Sequence, residues 1–105
     1  MLSIDPAKPC QTVITTFEMT PGTCEDVLEA LRLAYAEVIS KCPGFIDAAI
    51  HVNDAQTRVV NYSQWERRED FQAMLRTEEM RTRNRAINQL VKGFEPVMVE
   101  VAAVY

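Results

Sequence analysis

Apolar and polar positions change period several times along the chain. Residues 12–19, TVITTFEM, are β-branched and aromatic and read as a strand. The TPGT that follows supplies a turn and a helix start, with Thr23 as N-cap and Glu25 and Asp26 in the acid-favouring first turn. Val27, Leu28, Leu31, Ala34, Tyr35, Val38 and Ile39 then recur with helical period, and Pro43-Gly44 stops the run. FIDAAIHV (45–52) alternates as a strand, placing Ile46, Ala48, Ile50 and Val52 on one side. NDAQ turns the chain and TRVVNYSQW (57–65) returns, which predicts an antiparallel hairpin. ERREDFQAMLR (66–76) reads as a second helix. A further helical stretch begins near Thr77, with Met80, Ile87, Leu90, Val91 and Phe94 on one stripe, and EPVMVEVAAVY (95–105) is the last strand.

The element order is β-α-β-β-α-β, with the second helical region broken in two. That order predicts an α+β, ferredoxin-like fold with an antiparallel sheet. Helices cover one face of such a sheet and leave the other bare. Two sheets packed face to face would bury both, which predicts a homodimer. No repeat, low-complexity tract or linker divides the chain. Residues 1–105 read as one domain, with 1–10 a loose lead-in that two prolines keep irregular.

Composition narrows the function. Hydrophobic residues make up 48% of the 105 positions and charged residues 25%, as in a globular domain. A net charge of -4 argues against a nucleic-acid partner, which selects for basic surfaces. No apolar stretch suffices to span a bilayer, and the first residues lack a secretion signal. Cys10, Cys24 and Cys42 have no metal-like spacing and read as free, inert thiols in a reducing cytoplasm.

The candidate chemistry sits in VVNYSQWE (59–66). One face of this strand carries Val59, Asn61, Ser63 and the only tryptophan, Trp65. Two readings fit. In the structural one, Trp65 fills the core while Asn61 and Ser63 satisfy nearby backbone groups. In the other, the same face lines a ligand pocket, where an amide holds a substrate oxygen and an indole supplies a flat wall and a donor. Tyr35 and its helix read as core, and the charges from Glu66 to Asp70 as a solvated helix start. His51, the only histidine, alternates with Asp47 and Ala49, away from the Ile46–Val52 row; it suits either a structural role or a general base.

The wider string KCPGFIDAAIHVNDAQTRVVNYSQWERREDF resembles the antibiotic biosynthesis monooxygenase family, and most of all its small cofactor-free anthrone oxygenases. The likeness is carried by Pro43, Gly44 and Phe45, by His51, by Val59-Val60-Asn61-Tyr62, by Gln64-Trp65-Glu66 and by the aromatic Phe71. It needs no gap from Pro43 to Trp65. It implies a dimeric α+β barrel, joined through sheet faces and the C-terminal strand, with a pocket between each sheet and its helices. It also implies oxidation of a phenolic, anthrone-type aromatic to a quinone with O2 as co-substrate and no flavin, haem or metal. The absence of any histidine after His51 counts against the haem-degrading branch of the superfamily.

Carried over residue by residue, the resemblance makes Asn61 the holder of the substrate oxygen and Trp65 a pocket wall and donor. A helical arginine completes the expected catalytic set. Counting without gaps lands on Arg85. Arg85 lies roughly 160° from Ile87 around the helix, whereas Arg83 lies about 40° away, so Arg83 is preferred. Thr15, Tyr35, His51, Ser63, Phe71 and Arg85 are the further substrate-binding candidates. Two positions differ from the pattern: Thr15 or Thr16 stands where some relatives have a first-strand Asn, and Phe71 where some have a Tyr. A non-catalytic binding barrel, or another small-molecule enzyme on this fold, is the competing expectation.

Overall fold

The computed structural model describes all residues from Met1 to Tyr105. Four strands form one antiparallel sheet: β1 (Gln11–Glu18), β2 (Phe45–Val52), β3 (Arg58–Trp65) and β4 (Gly93–Val99), in the order β2-β3-β1-β4. The helices are α1 (Pro21–Glu37), α2 (Arg68–Arg76) and α3 (Glu78–Asn88), with a short 3-10 turn at Ile39–Lys41. All helices pack on one sheet face, as the ferredoxin-like order requires. Pro96 can sit in β4 because that strand lies at the sheet edge.

Local chemistry moves several boundaries. α1 starts at Pro21 rather than after Thr23, with Thr20 as its N-cap. Proline suits a first helical position because its missing N–H would be unpaired there anyway. Thr23 is therefore inside the helix, and its Oγ1 donates to the Leu90 carbonyl at 2.7 Å. Glu25 and Asp26 consequently fall beyond the first turn, which holds no acid. β4 ends at Val99, short of the expected Tyr105.

Thr77 explains the broken second helix. Its hydroxyl donates to the Met74 carbonyl at 2.9 Å and accepts from the Met80 N–H at 3.3 Å, closing α2 and capping α3 at one residue.

A bulge interrupts the β2–β3 pairing. Phe45 pairs with Trp65, yet Asp47 pairs with Gln64, so Ile46 is the extra residue. The bulge reverses the strand's phase and turns Phe45 toward the helices, where its ring meets Trp65 edge-on at 5.4 Å. Gly44, just before it, has φ 83.

On the other sheet face, Ile14, Val60, Tyr62, Val97 and Val99 form a patch that no helix covers, with Val97 46% exposed. The lead-in closes one end of this face. Gln64 Nε2 donates to the Ser3 carbonyl at 2.6 Å, and Lys8 Nζ donates to Gln64 Oε1 at 2.9 Å.

Candidate active site

The helix-facing side of the sheet is built from cross-strand rows. One row runs Met98, Val13, Ser63, Ala48; another runs Phe94, Phe17, Val59, Val52. Between them lies Pro96, Thr15, Asn61, Ile50. The rows correspond to a divided core. One apolar cluster gathers around Val13, Val38, Trp65, Phe71 and Met74, and a second around Phe17, Leu28, Leu31, Val59 and Ile87. The Thr15–Asn61 row falls at the junction of the two clusters. There the helices leave a narrow cavity of about 50 Å³. Its wall takes Thr15, Asn61 and Ser63 from the sheet, Tyr35 from α1, Phe71 and Met74 from α2, and Met80 and Asn84 from α3.

The polar wall groups are tied in a defined way. Tyr35 donates its phenolic hydrogen to Asn61 Oδ1 at 2.8 Å. Trp65 Nε1 donates to Ser63 Oγ at 3.1 Å, and Ser63 Oγ is 3.5 Å from the Val13 carbonyl it faces. Tyr35 is the one titratable side chain on the wall. Burial pushes its pKa up to about 12, against the smaller opposing pull of hydrogen bonds with Asn61 and Ser63. At neutral pH it is therefore a phenol and a donor. The wall offers hydrogen bonds and no base.

The candidate residues separate into those that meet and those that do not. Asn61, Thr15, Tyr35, Ser63 and Phe71 converge on the cavity. Trp65 stands behind it: the ring is fully buried, does not line the cavity, and its N–H is taken by Ser63. The expected pocket-wall indole is thus a prop for the Ser63 hydroxyl. Arg83 points outward and pairs with Glu37 at 3.2 Å, while Arg85 is exposed and donates to Thr82 Oγ1. His51 is exposed on the sheet face that the helices leave open, with its Nδ1 3.2 Å from the Val60 carbonyl. These three side chains do not reach the cavity.

α3 contributes Asn84 instead, a residue the periodicity did not single out. At about 100° per residue, positions 83 and 84 lie about 50° to either side of the line through Met80 and Ile87. Spacing is symmetric there. Packing decides, turning Asn84 inward and Arg83 toward Glu37 on α1. No three His, Cys, Asp or Glu side chains gather in metal-binding positions. No helix is long and apolar enough to cross a membrane. The cysteines are free, and burial together with nearby Glu79 raises the Cys42 thiol pKa.

Comparison with known proteins bears on this arrangement. The family model described as antibiotic biosynthesis monooxygenase matches residues 11–86. The chain belongs to this family. The tetracenomycin-F1 monooxygenase of Streptomyces glaucescens is 31% identical over 74 residues, which span 70% of this chain and 66% of that protein, just under two thirds of its length. The monooxygenase ActVA-Orf6 of Streptomyces coelicolor, solved with nanaomycin D, superposes with a TM-score of 0.78 at 24% identity, covering 96% of both chains. SnoaB of Streptomyces nogalater, described as a cofactor-independent oxygenase, gives 0.73 at 18% identity, covering 92% of this chain and 97% of that one. At these identities the two superpositions are likenesses of fold. The four-stranded sheet with helices on one face is the architecture this antibiotic biosynthesis monooxygenase domain shares with them. The cavity-wall residues of β1 and β3 lie within the matched 11–86 segment, and those of β4, Phe94 and Pro96, lie beyond it.

Proposed function

We propose that this domain is a cofactor-independent monooxygenase that oxidises a phenolic, anthrone-type aromatic with O2. The observation that carries the reading is the Asn61 amide, buried on a cavity whose wall is mostly apolar, with aromatic, aliphatic and methionine side chains beside a few polar ones. An amide held in such a place is preorganised to stabilise charge developing on a substrate oxygen. SnoaB's description and the likeness to tetracenomycin-F1 monooxygenase support chemistry without a prosthetic group.

In the proposed course, an acidic CH2 of the substrate loses a proton, and hydrogen bonding from the amide favours the resulting enolate. The enolate passes one electron to O2, and the radical pair combines to a hydroperoxide after proton return. Loss of water leaves a carbonyl where the CH2 stood, so one oxygen atom enters the product and the other leaves as water. No carboxylate or imidazole lines the cavity. The substrate must therefore be one whose own acidity suffices for transfer to water. This restricts the class to aromatics whose enolate is itself a phenolate.

The uncovered sheet face supports a second part of the proposal, a homodimer packed face to face around Ile14, Val60, Tyr62 and Val97. A contiguous apolar patch of this kind marks an interaction surface, and a second copy presents the same one.

The test is oxygen uptake with dithranol on metal-stripped protein. Uptake well above autoxidation that is lost in Asn61→Ala supports the reading. Uptake at the autoxidation rate in both proteins moves it to a binding barrel.

A further inference from the structure

A second hollow adjoins the first. Between α1 and the edge strand β2 runs an open groove of about 480 Å³, lined by Arg32, Tyr35, Ala36, Ser40, Phe45 and Ala48 among others. Its volume falls within the range of small-molecule sites, roughly 300–1,000 Å³. The inner cavity, at about 50 Å³, does not. A benzene ring occupies an apolar cavity of about 150 Å³, so no aromatic substrate reaches Asn61 while the inner wall stands as it is.

Tyr35 belongs to both hollows. Its ring, 6.0 Å from that of Phe45, forms part of the aromatic side of the groove, and its hydroxyl holds Asn61 Oδ1 at 2.8 Å. The contact has the chemistry of a neutral phenol docking on Asn61: a hydroxyl donates to Oδ1, which leaves Nδ2 as the donor proposed to hold the developing enolate oxygen. A planar phenol settling in the groove meets Tyr35 first. It reaches Asn61 only by taking the place of the Tyr35 hydroxyl.

We infer that the α1–β2 groove is the docking site for a planar phenolic ligand, and that Tyr35 is a latch whose phenol occupies Asn61 until the ligand's phenol replaces it. Tyr35 thereby offsets the advantage of a hydroxyl: a phenol's bond to Asn61 replaces the Tyr35 bond and gains little, whereas a ligand without a hydroxyl rests in the groove with the latch closed, because opening it would strip a buried acceptor of its partner. This inference rests on the proposed role of Asn61.

The test is anaerobic binding, with 1,8-dihydroxyanthraquinone and unsubstituted anthraquinone as probes, measured by calorimetry. In Tyr35→Phe the carbonyl is already unpaired before binding. The preference for the dihydroxy compound is expected to rise by up to about tenfold over the wild type. Ala48→Phe, at a position that lines the groove and not the inner cavity, is expected to weaken both probes by at least about tenfold. An unchanged or lower preference in Tyr35→Phe overturns the latch, and full affinity in Ala48→Phe overturns the groove. No binding of either probe to the wild type overturns both. Oxygen uptake with dithranol separates this inference from the reading beneath it. A raised preference without uptake leaves the latch standing and removes the monooxygenase. Uptake with a lowered preference does the reverse.

Discussion

Tyr35 and Asn61, twenty-six positions apart in the chain, are joined by a hydrogen bond of 2.8 Å across the junction of two apolar clusters. Removing either partner leaves the other facing a cavity with little room for water. Asn61→Ala is expected to cost about 1–3 kcal/mol of stability through the stranded Tyr35 hydroxyl. It is also expected to lower turnover by about 10²–10³, the usual effect of deleting one preorganised donor. Urea unfolding and oxygen uptake on the same preparation check both.

The Tyr35 pKa also makes stability depend on alkaline pH. The phenol is held protonated to about 12 in the folded chain, above its ordinary value of 10.0. Between these values the unfolded chain releases a proton that the folded one retains, so stability falls as pH rises. The contribution is intact below about pH 10 and declines toward pH 12, by about 2–3 kcal/mol in all. Unfolding series at pH 9, 10 and 11 should show the decline in the wild type. A parallel series on Tyr35→Phe should be flatter by about 1 kcal/mol between pH 9 and 11, roughly half of the total.

Ser63 is placed to support Trp65 as much as any ligand. Ser63→Ala leaves the buried indole N–H without its acceptor and is expected to destabilise the fold by about 1–3 kcal/mol. Near-ultraviolet circular dichroism of the single tryptophan reports the change directly. A variant with unaltered signal and stability would mean that the indole finds another acceptor.

His51, exposed on the far sheet face, is expected to be silent in catalysis. His51→Gln should leave oxygen uptake within about twofold of the wild type between pH 5 and 8. A lost acid limb in its pH–rate profile would place the imidazole at the reacting centre and contradict this assignment.

Gly44 offers a test of the fold at the bulge. Its φ of 83 disfavours any side chain, and a Cβ there would overlap the carboxylate of Asp70. Gly44→Ala is expected to cost at least about 2 kcal/mol, from the left-handed backbone and the overlap together. In a double-mutant cycle with Asp70→Ala, part of that loss should return.

Much of this molecule is legible in its residue pattern, and the rest is hidden for identifiable reasons. Alternation in TVITTFEM and VVNYSQW, and the stripe from Val27 to Ile39, are short-range signals that survive folding unchanged. Asn61 and Ser63 stand out because polar residues on an otherwise apolar strand face need a reason. The inward turn of Asn84 is not legible, since Arg83 is equally placed about the Met80–Ile87 line and only Glu37 on a distant helix breaks the tie. Trp65 withdraws from the cavity because Phe45 and Phe71 pack edge-on against it, and the Phe45 contact depends on a bulge that simple alternation does not foresee. The tie from Tyr35 to Asn61 is tertiary and leaves no local trace.

Pro96, Thr15, Asn61 and Ile50 stand abreast, one from each strand. A slip of one residue in any pairing sends that strand's side chain to the opposite face. The amide therefore meets its cavity only in a chain whose three strand pairings are all correct at once. On the proposed function, oxygen uptake then serves as an audit of assembly: misaligned molecules, however compact, are expected to be inert.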